Sequence, residues 1–96
     1  MRRLYIVMYD ISHPKRLRKV FKIMRGFGDR IQLSVFRAEL TPKERIQMMM
    51  KINPVIHHNE DQVLMIPIGP AGGEIEKEIE ALGRPYEPCP HGAVVV

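Results

Sequence analysis

Asp10 is the side chain in this sequence best placed to do chemistry. It ends the apolar run Leu4 to Tyr9 and stands just ahead of a strongly basic stretch, Lys15, Arg16, Arg18, Lys19, Lys22 and Arg25. A carboxylate beside phosphate-binding cations is a hard oxygen ligand of the kind a magnesium ion takes. One carboxylate is an incomplete set. A second copy brought in by a two-fold axis would add another, with water and phosphate oxygens filling the remaining positions. The alternative is structural, since an Asp at a strand end also makes an Asx turn. Asp29 follows Gly28 and reads more simply as a turn residue.

Charge points the same way. Residues 1–37 carry ten Lys or Arg against two acids, whereas residues 38–96 carry five against nine. The strongly positive part is the footprint expected of a phosphate-backbone binder, and a merely solvated basic face is the plainer reading. DNA and RNA are both candidate ligands. Arg16, Arg18, Lys19, Lys22 and Arg25 are the expected phosphate contacts.

Other chemistry-bearing residues carry less. His57 and His58 are adjacent loop residues with no further ligands nearby, and Cys89 with His91 supplies only two of the four ligands of a zinc site. His13 is close enough to Asp10 to shuttle a proton, and an exposed helix start explains it equally well. Gly69 to Gly73 lacks the lysine and spacing of a phosphate loop and reads as a linker. Met48, Met49 and Met50 read as core packing plus one exposed methionine. The single cysteine excludes an internal disulfide, and no apolar run approaches the ~20 residues of a membrane helix. A soluble, cytoplasmic protein is expected.

Residues 3–9 predict a strand near the middle of a sheet. Ser12 offers an N-cap and Pro14 an early helical position for a helix through Leu17, Val20, Phe21, Met24 and Phe27, closed by Gly26 and Gly28. The run from Gly28 to Leu40 alternates, but its phase changes partway: Ile31, Leu33 and Val35 share one parity, and Phe36, Ala38 and Leu40 the other. It must break near Ser34 to Phe36, giving two short strands. Thr41, Pro42 and Glu44 spell a capping box that opens a second helix, whose stripe is read through Ile46, Met49, Met50 and Ile52. Gln62 to Ile68 is a strand in which Pro67 should sit at a sheet edge or a strand end. Ile75, Ile79 and Leu82 suggest a short third helix. The terminal Ala-Val-Val-Val is strand-prone and expected to dock on a sheet edge.

The first six elements fit a ferredoxin-like βαββαβ arrangement of the α+β class, with both helices on one face of an antiparallel sheet. Residues 1–82 would form the domain, and 83–96 an extension with a closing strand. The sheet's other face would lie bare and must be covered by a two-fold partner or a ligand, which supports a homodimer.

Three segments together, MRRLYIVMYDIS, DRIQLSVF after the first helix, and GRPYEPCPHGAVVV, resemble CRISPR-associated protein family two, the small endoribonuclease-type proteins of spacer acquisition. The resemblance covers nearly the whole chain. It implies a ferredoxin-like homodimer whose terminal strand adds to the partner's sheet, and which bridges units of the larger CRISPR integrase and holds the duplex to be inserted. It also implies, for some members, magnesium-dependent endonuclease activity on single-stranded RNA or double-stranded DNA. On that footing Asp10 is the metal-binding and catalytic candidate, with Tyr9, Arg30 and Phe36 as the matching companions. Phe36 would either stack a base or pack in the core. A virulence-associated toxin ribonuclease and a ferredoxin-like regulatory dimer without nucleic acid are the competing readings.

Overall fold

The computed structural model describes residues 1–87. The expected terminal strand, Cys89 and His91 lie outside the described residues.

The chain folds as β1 (Arg3–Asp10), α1 (Pro14–Arg25), β2 (Asp29–Gln32), β3 (Val35–Leu40), α2 (Pro42–Ile52) and β4 (Gln62–Pro70). The strands form one sheet in the order β2-β3-β1-β4, with every neighbouring pair antiparallel, so the expected ferredoxin-like topology holds. Strand periodicity sorts β1: Tyr5, Val7 and Tyr9 enter the core beneath the helices, while Ile6 and Met8 face the other way and stay half-buried. Phe36, Ala38 and Leu40 join the core from β3, Val20 and Met24 from α1, Met48 and Ile52 from α2. Burying a large apolar side chain in this way contributes roughly 1.5–3 kcal/mol each.

The phase change before β3 is a two-residue turn at Leu33-Ser34, with a register shift between Arg30 and Gln32. Among the described residues only Gly72 and Gly83 have positive φ, so this turn needs no glycine. Gly28 is required for another reason. A Cβ there would lie 2.2 Å from the Arg37 carbonyl oxygen, where the chain enters β2 against β3.

The capping box forms as expected: Glu44 N–H donates to Thr41 Oγ1 at 3.1 Å and Thr41 N–H to Glu44 Oε1 at 2.9 Å. Such a cap contributes about 1 kcal/mol. β4 is an edge strand, and it bulges where Leu4 and Tyr5 face Gly69 and Pro67, which absorbs the proline.

Three expectations are corrected. The buried side chains of α2 are Met48 and Ile52, whereas Ile46, Met49 and Met50 are exposed. The third helix is a single 3-10 turn, Ile75–Glu78, and Leu82 is fully exposed. The N-cap of α1 is His13 rather than Ser12.

Half of the sheet's second face is covered by the chain itself. Arg37 of β3 donates to the Gly73 carbonyl and to Glu39, each at 2.9 Å. Its Nε also lies 3.1 Å from Glu76 Oε1, close enough for charge attraction without the alignment of a hydrogen bond. Residues 79–82 and 84–87 then line a cavity with Ile31, Gln32 and Val35. The β1–β4 half keeps an apolar strip, in which Ile6 faces Ile66 and Met8 faces Leu64.

Candidate functional site

The elements that frame Asp10 meet at one end of the sheet. β1 ends and β4 begins there, with Asp10 opposite Gln62. The β2–β3 turn reaches the same end, because Tyr9 N–H donates to the Ser34 carbonyl at 3.0 Å. α1 starts four residues beyond Asp10. Its cap fixes a tautomer: His13 Nδ1 accepts from Lys15 N–H at 3.1 Å, so a neutral imidazole carries its proton on Nε2.

A second carboxylate, Asp61, locks this end together. Its Oδ1 accepts from both the backbone N–H and the hydroxyl of Ser12, each at 3.0 Å. Its Oδ2 accepts from Arg16 Nε and from His57 N–H, each at 2.8 Å. The Asp61 side chain is shielded from solvent. The Arg16 guanidinium, helped by the His57 and Ser12 donors, holds the carboxyl well below the usual carboxylate range against the opposing effect of burial. The same pairing raises the pKa of Arg16, with Glu60 adding to it.

Tyr9, Phe36 and Phe21 form a ring cluster beneath the site, with Phe36 6.1 Å from Tyr9 and 5.9 Å from Phe21 between centroids. Arg30 of β2 lies over the Phe21 ring at 5.4 Å, and Arg25 of α1 at 5.6 Å. Tyr9 is almost fully buried, and its hydroxyl has no hydrogen-bond partner among the described residues. Burial pushes that hydroxyl's pKa up, and the nearby Arg30 charge partly offsets it.

The sequence-derived candidates therefore separate into four groups. Asp10, Tyr9, Arg18 and Arg30 line one open cavity of about 570 Å³ between α1 and the β2–β3 turn, together with Leu17, Phe21 and Leu33. Phe36 is fully buried, so packing is the role it takes within the chain. On α1, Arg18, Lys22 and Arg25 are exposed at i, i+4 and i+7 and make one cationic stripe, with Lys19 exposed beside it. Arg16 is set apart, turned into the Asp61 and Glu60 carboxylates.

Asp61 is absent from the sequence-derived site, which considers only His57 and His58 of this loop. An acid before a strand gives no sign of a partner 45 residues away. Leu17 and Leu33 were missed as cavity walls because their apolar character read as core.

Asp10 is exposed and is a hard oxygen donor of the type magnesium takes. Among the described residues, no three His, Cys, Asp or Glu side chains gather to hold an ion. A single chain thus offers a fitting ligand without a complete ligand set. No helix among the described residues is long and apolar enough to cross a membrane.

Residues 1–72 match the family model described as CRISPR associated protein Cas2. The whole chain is 41% identical, over 96 residues and the full length of both proteins, to the CRISPR-associated endoribonuclease Cas2 of Geobacter sulfurreducens. The crystal structure of Streptococcus pyogenes Cas2 at pH 6.5 matches with a TM-score of 0.71 and 29% identity, covering 83% of this chain and 99% of that one. A chain of a partial Cas6-RT-Cas1–Cas2 complex matches with a TM-score of 0.67 and 25% identity over the full length of both.

Proposed function

The chain belongs to the CRISPR-associated protein Cas2 family, and from that premise we propose that it is a spacer-acquisition protein, a nucleic-acid-binding homodimer that acts as adaptor for the CRISPR integrase and carries an endoribonuclease-type site at Asp10. The observation that carries this reading is the meeting of an exposed carboxylate, Arg18 and Arg30 around one cavity, from which the cationic stripe of α1 runs on through Lys22 and Arg25. The adaptor role is supported by the resemblance to a chain of a Cas1–Cas2 complex.

Arg18, Lys19, Lys22 and Arg25 bind the phosphate backbone. Their spacing along one exposed helix suits a run of phosphates, and no base edge need be read for that. The apolar strip of Ile6, Met8, Leu64 and Ile66 meets its copy across a two-fold axis and forms the dimer. Asp10 of each copy would hold a magnesium ion, which when bound would supply polarisation of a phosphoryl oxygen and activation of a water molecule. Arg30, held over Phe21 beside this position, neutralises charge developing on the phosphate.

Fluorescence anisotropy with a DNA duplex and a single-stranded RNA, titrated with salt, tests the reading. Affinity for both should fall steeply with ionic strength, and removing Lys19 or Lys22 should reduce the salt slope by about one phosphate contact each. A flat salt response would point instead to a regulatory dimer that does not bind nucleic acid.

A further inference from the structure

The open cavity beside Asp10 has a composition that phosphate binding does not explain. Its walls are Leu17 of α1, Phe21 and the turn residue Leu33, and its exposed lining is mainly apolar. Leu33 stands 76% exposed and Leu17 40% exposed. A single exposed leucine means little, but two facing one cleft with cations at its rim form a surface for a flat, apolar-faced, anionic ligand. At about 570 Å³ the cavity has the size of a small-molecule site.

Two features narrow the ligand. Arg18 and Arg30 border the cavity, and Arg30 is fixed in place by its contact with the Phe21 ring, so a guanidinium plane and cationic charge stand beside the apolar walls. Arg guanidinium planes and apolar side chains are the surfaces on which unstacked bases lie, while the attached phosphate needs the charge. The second feature is Tyr9, which lines the same cavity, is 95% buried by its 5% residual exposure, and has a hydroxyl without a partner among the described residues. A buried hydroxyl is ordinarily hydrogen-bonded. A heteroatom edge entering between Leu17 and Leu33 would supply that partner after a small shift of the ring.

We propose that this cavity receives one unstacked nucleobase of a single strand, sandwiched between Leu17 and Leu33 and flanked by Arg30, with its edge bonded to Tyr9. The inference rests on the nucleic-acid reading above and adds a distinction within it. A duplex keeps its bases stacked and contacts only the cationic stripe. A single strand contacts the stripe and also places a base in the cavity, next to Asp10. The site therefore separates two modes of binding on one protein.

The test uses the full-length protein without divalent cation, so that no strand is cleaved. A short single strand carrying 2-aminopurine at one position, and the duplex of the same sequence, are titrated against the wild type, Leu33→Ser and Leu17→Ser. Leu33 lies in an exposed turn, so its replacement leaves the fold intact. Circular dichroism checks this, and Leu17→Ser provides a second wall. Single-strand affinity should fall about tenfold in each variant, the loss expected for one base stack, while duplex affinity stays unchanged. Bound 2-aminopurine should be protected from acrylamide quenching in the wild type and become accessible in the variants. Equal weakening of both ligands, or unchanged single-strand affinity and quenching, would overturn the cavity assignment while leaving backbone binding in place. Wild-type protein that binds neither ligand would instead remove the nucleic-acid reading itself. Conversion of a dimer to a monomer by Leu33→Ser would show that a second copy occupies the cavity, and would also overturn the proposal.

Discussion

Arg16 donates through Nε to Asp61 Oδ2 at 2.8 Å, and this pair fastens the start of α1 to the residue just before β4. Because Asp61 also accepts from Ser12 and His57, one shielded carboxylate satisfies donors from three segments. The arrangement fixes the direction in which α1 leaves Asp10. It also removes Arg16 from the exposed cationic surface of α1, which keeps Arg18, Lys22 and Arg25.

The clip has a pH signature. The Asp61 carboxyl titrates lower in the folded chain than in the unfolded one. Its contribution is therefore complete above the unfolded value of about 4 and is lost as pH falls toward the folded value. Asp61→Asn should lower the melting temperature at neutral pH, because the Arg16 charge loses its shielded, nearer counter-ion and keeps only the exposed Glu60. The gap to the wild type should narrow as pH falls below about 4. Thermal melts across that range decide the matter, and a gap of constant size would show that the charge on Asp61 is not what stabilises the clip.

Asp10 gives the opposite expectation. It is exposed at the strand end, and its substitution by alanine should change stability by no more than about 0.5 kcal/mol. Any cleavage of single-stranded RNA in magnesium should disappear in Asp10→Ala, while anisotropy shows nucleic-acid binding retained. The two results together distinguish a ligand for chemistry from a residue that holds the fold. Cleavage surviving in the variant would remove Asp10 from the catalytic role.

Local rules made most of the architecture legible. The Thr41-to-Glu44 capping box, the break before Phe36 and the edge position of Pro67 are each decided by a few neighbouring residues, and each appears as read. The hairpin turn was less visible because Leu33-Ser34 uses no positive φ and leaves no glycine signal. In α2 the run Met48-Met49-Met50 satisfies helical spacing with either Ile46 or Ile52, and only the docking of the helix on the sheet chooses Met48 with Ile52. The segment after β4 has apolar residues at helical spacing, yet Arg37 holds it against the sheet through Gly73 and the neighbourhood of Glu76, and only one 3-10 turn forms. For the candidate site, the place of Asp10 at the strand end and the exposure of the α1 cations other than Arg16 were readable from type and spacing. The Asp61 clip and the Leu17 and Leu33 walls depend on contacts distant in sequence.

The choice of Met48 can be measured. Met48 is fully buried within the core cluster, whereas Met50 is 70% exposed. Met48→Ala should destabilise the protein by about 2–5 kcal/mol through lost burial and the remaining cavity. Met50→Ala should stay within about 0.5 kcal/mol. Urea unfolding at matched protein concentration compares the two, and similar losses at both positions would place the helix stripe elsewhere.

The uncovered half of the second sheet face gives the sharpest prediction about assembly. Ile66 is 40% exposed, Leu64 43% and Ile68 50%, and Ile66 pairs in register with Ile6 on β1. The segment from Gly73 onward crosses toward β2 and β3 and lines a cavity there with Val35, so the chain's described residues spend their cover on that half. Apolar side chains lined up on neighbouring strands gain most by meeting the same strip on a second copy, since an isologous contact buries every residue twice. Placing a carboxylate in the strip sets two like charges against each other across the two-fold axis, with no partner to compensate them. The wild type should sediment as a dimer, and Ile66→Glu as a folded monomer whose circular dichroism is unchanged. On the proposed adaptor role, integrase association should fall with the dimer. An Ile66→Glu protein that still sediments as a dimer would move the interface off this face.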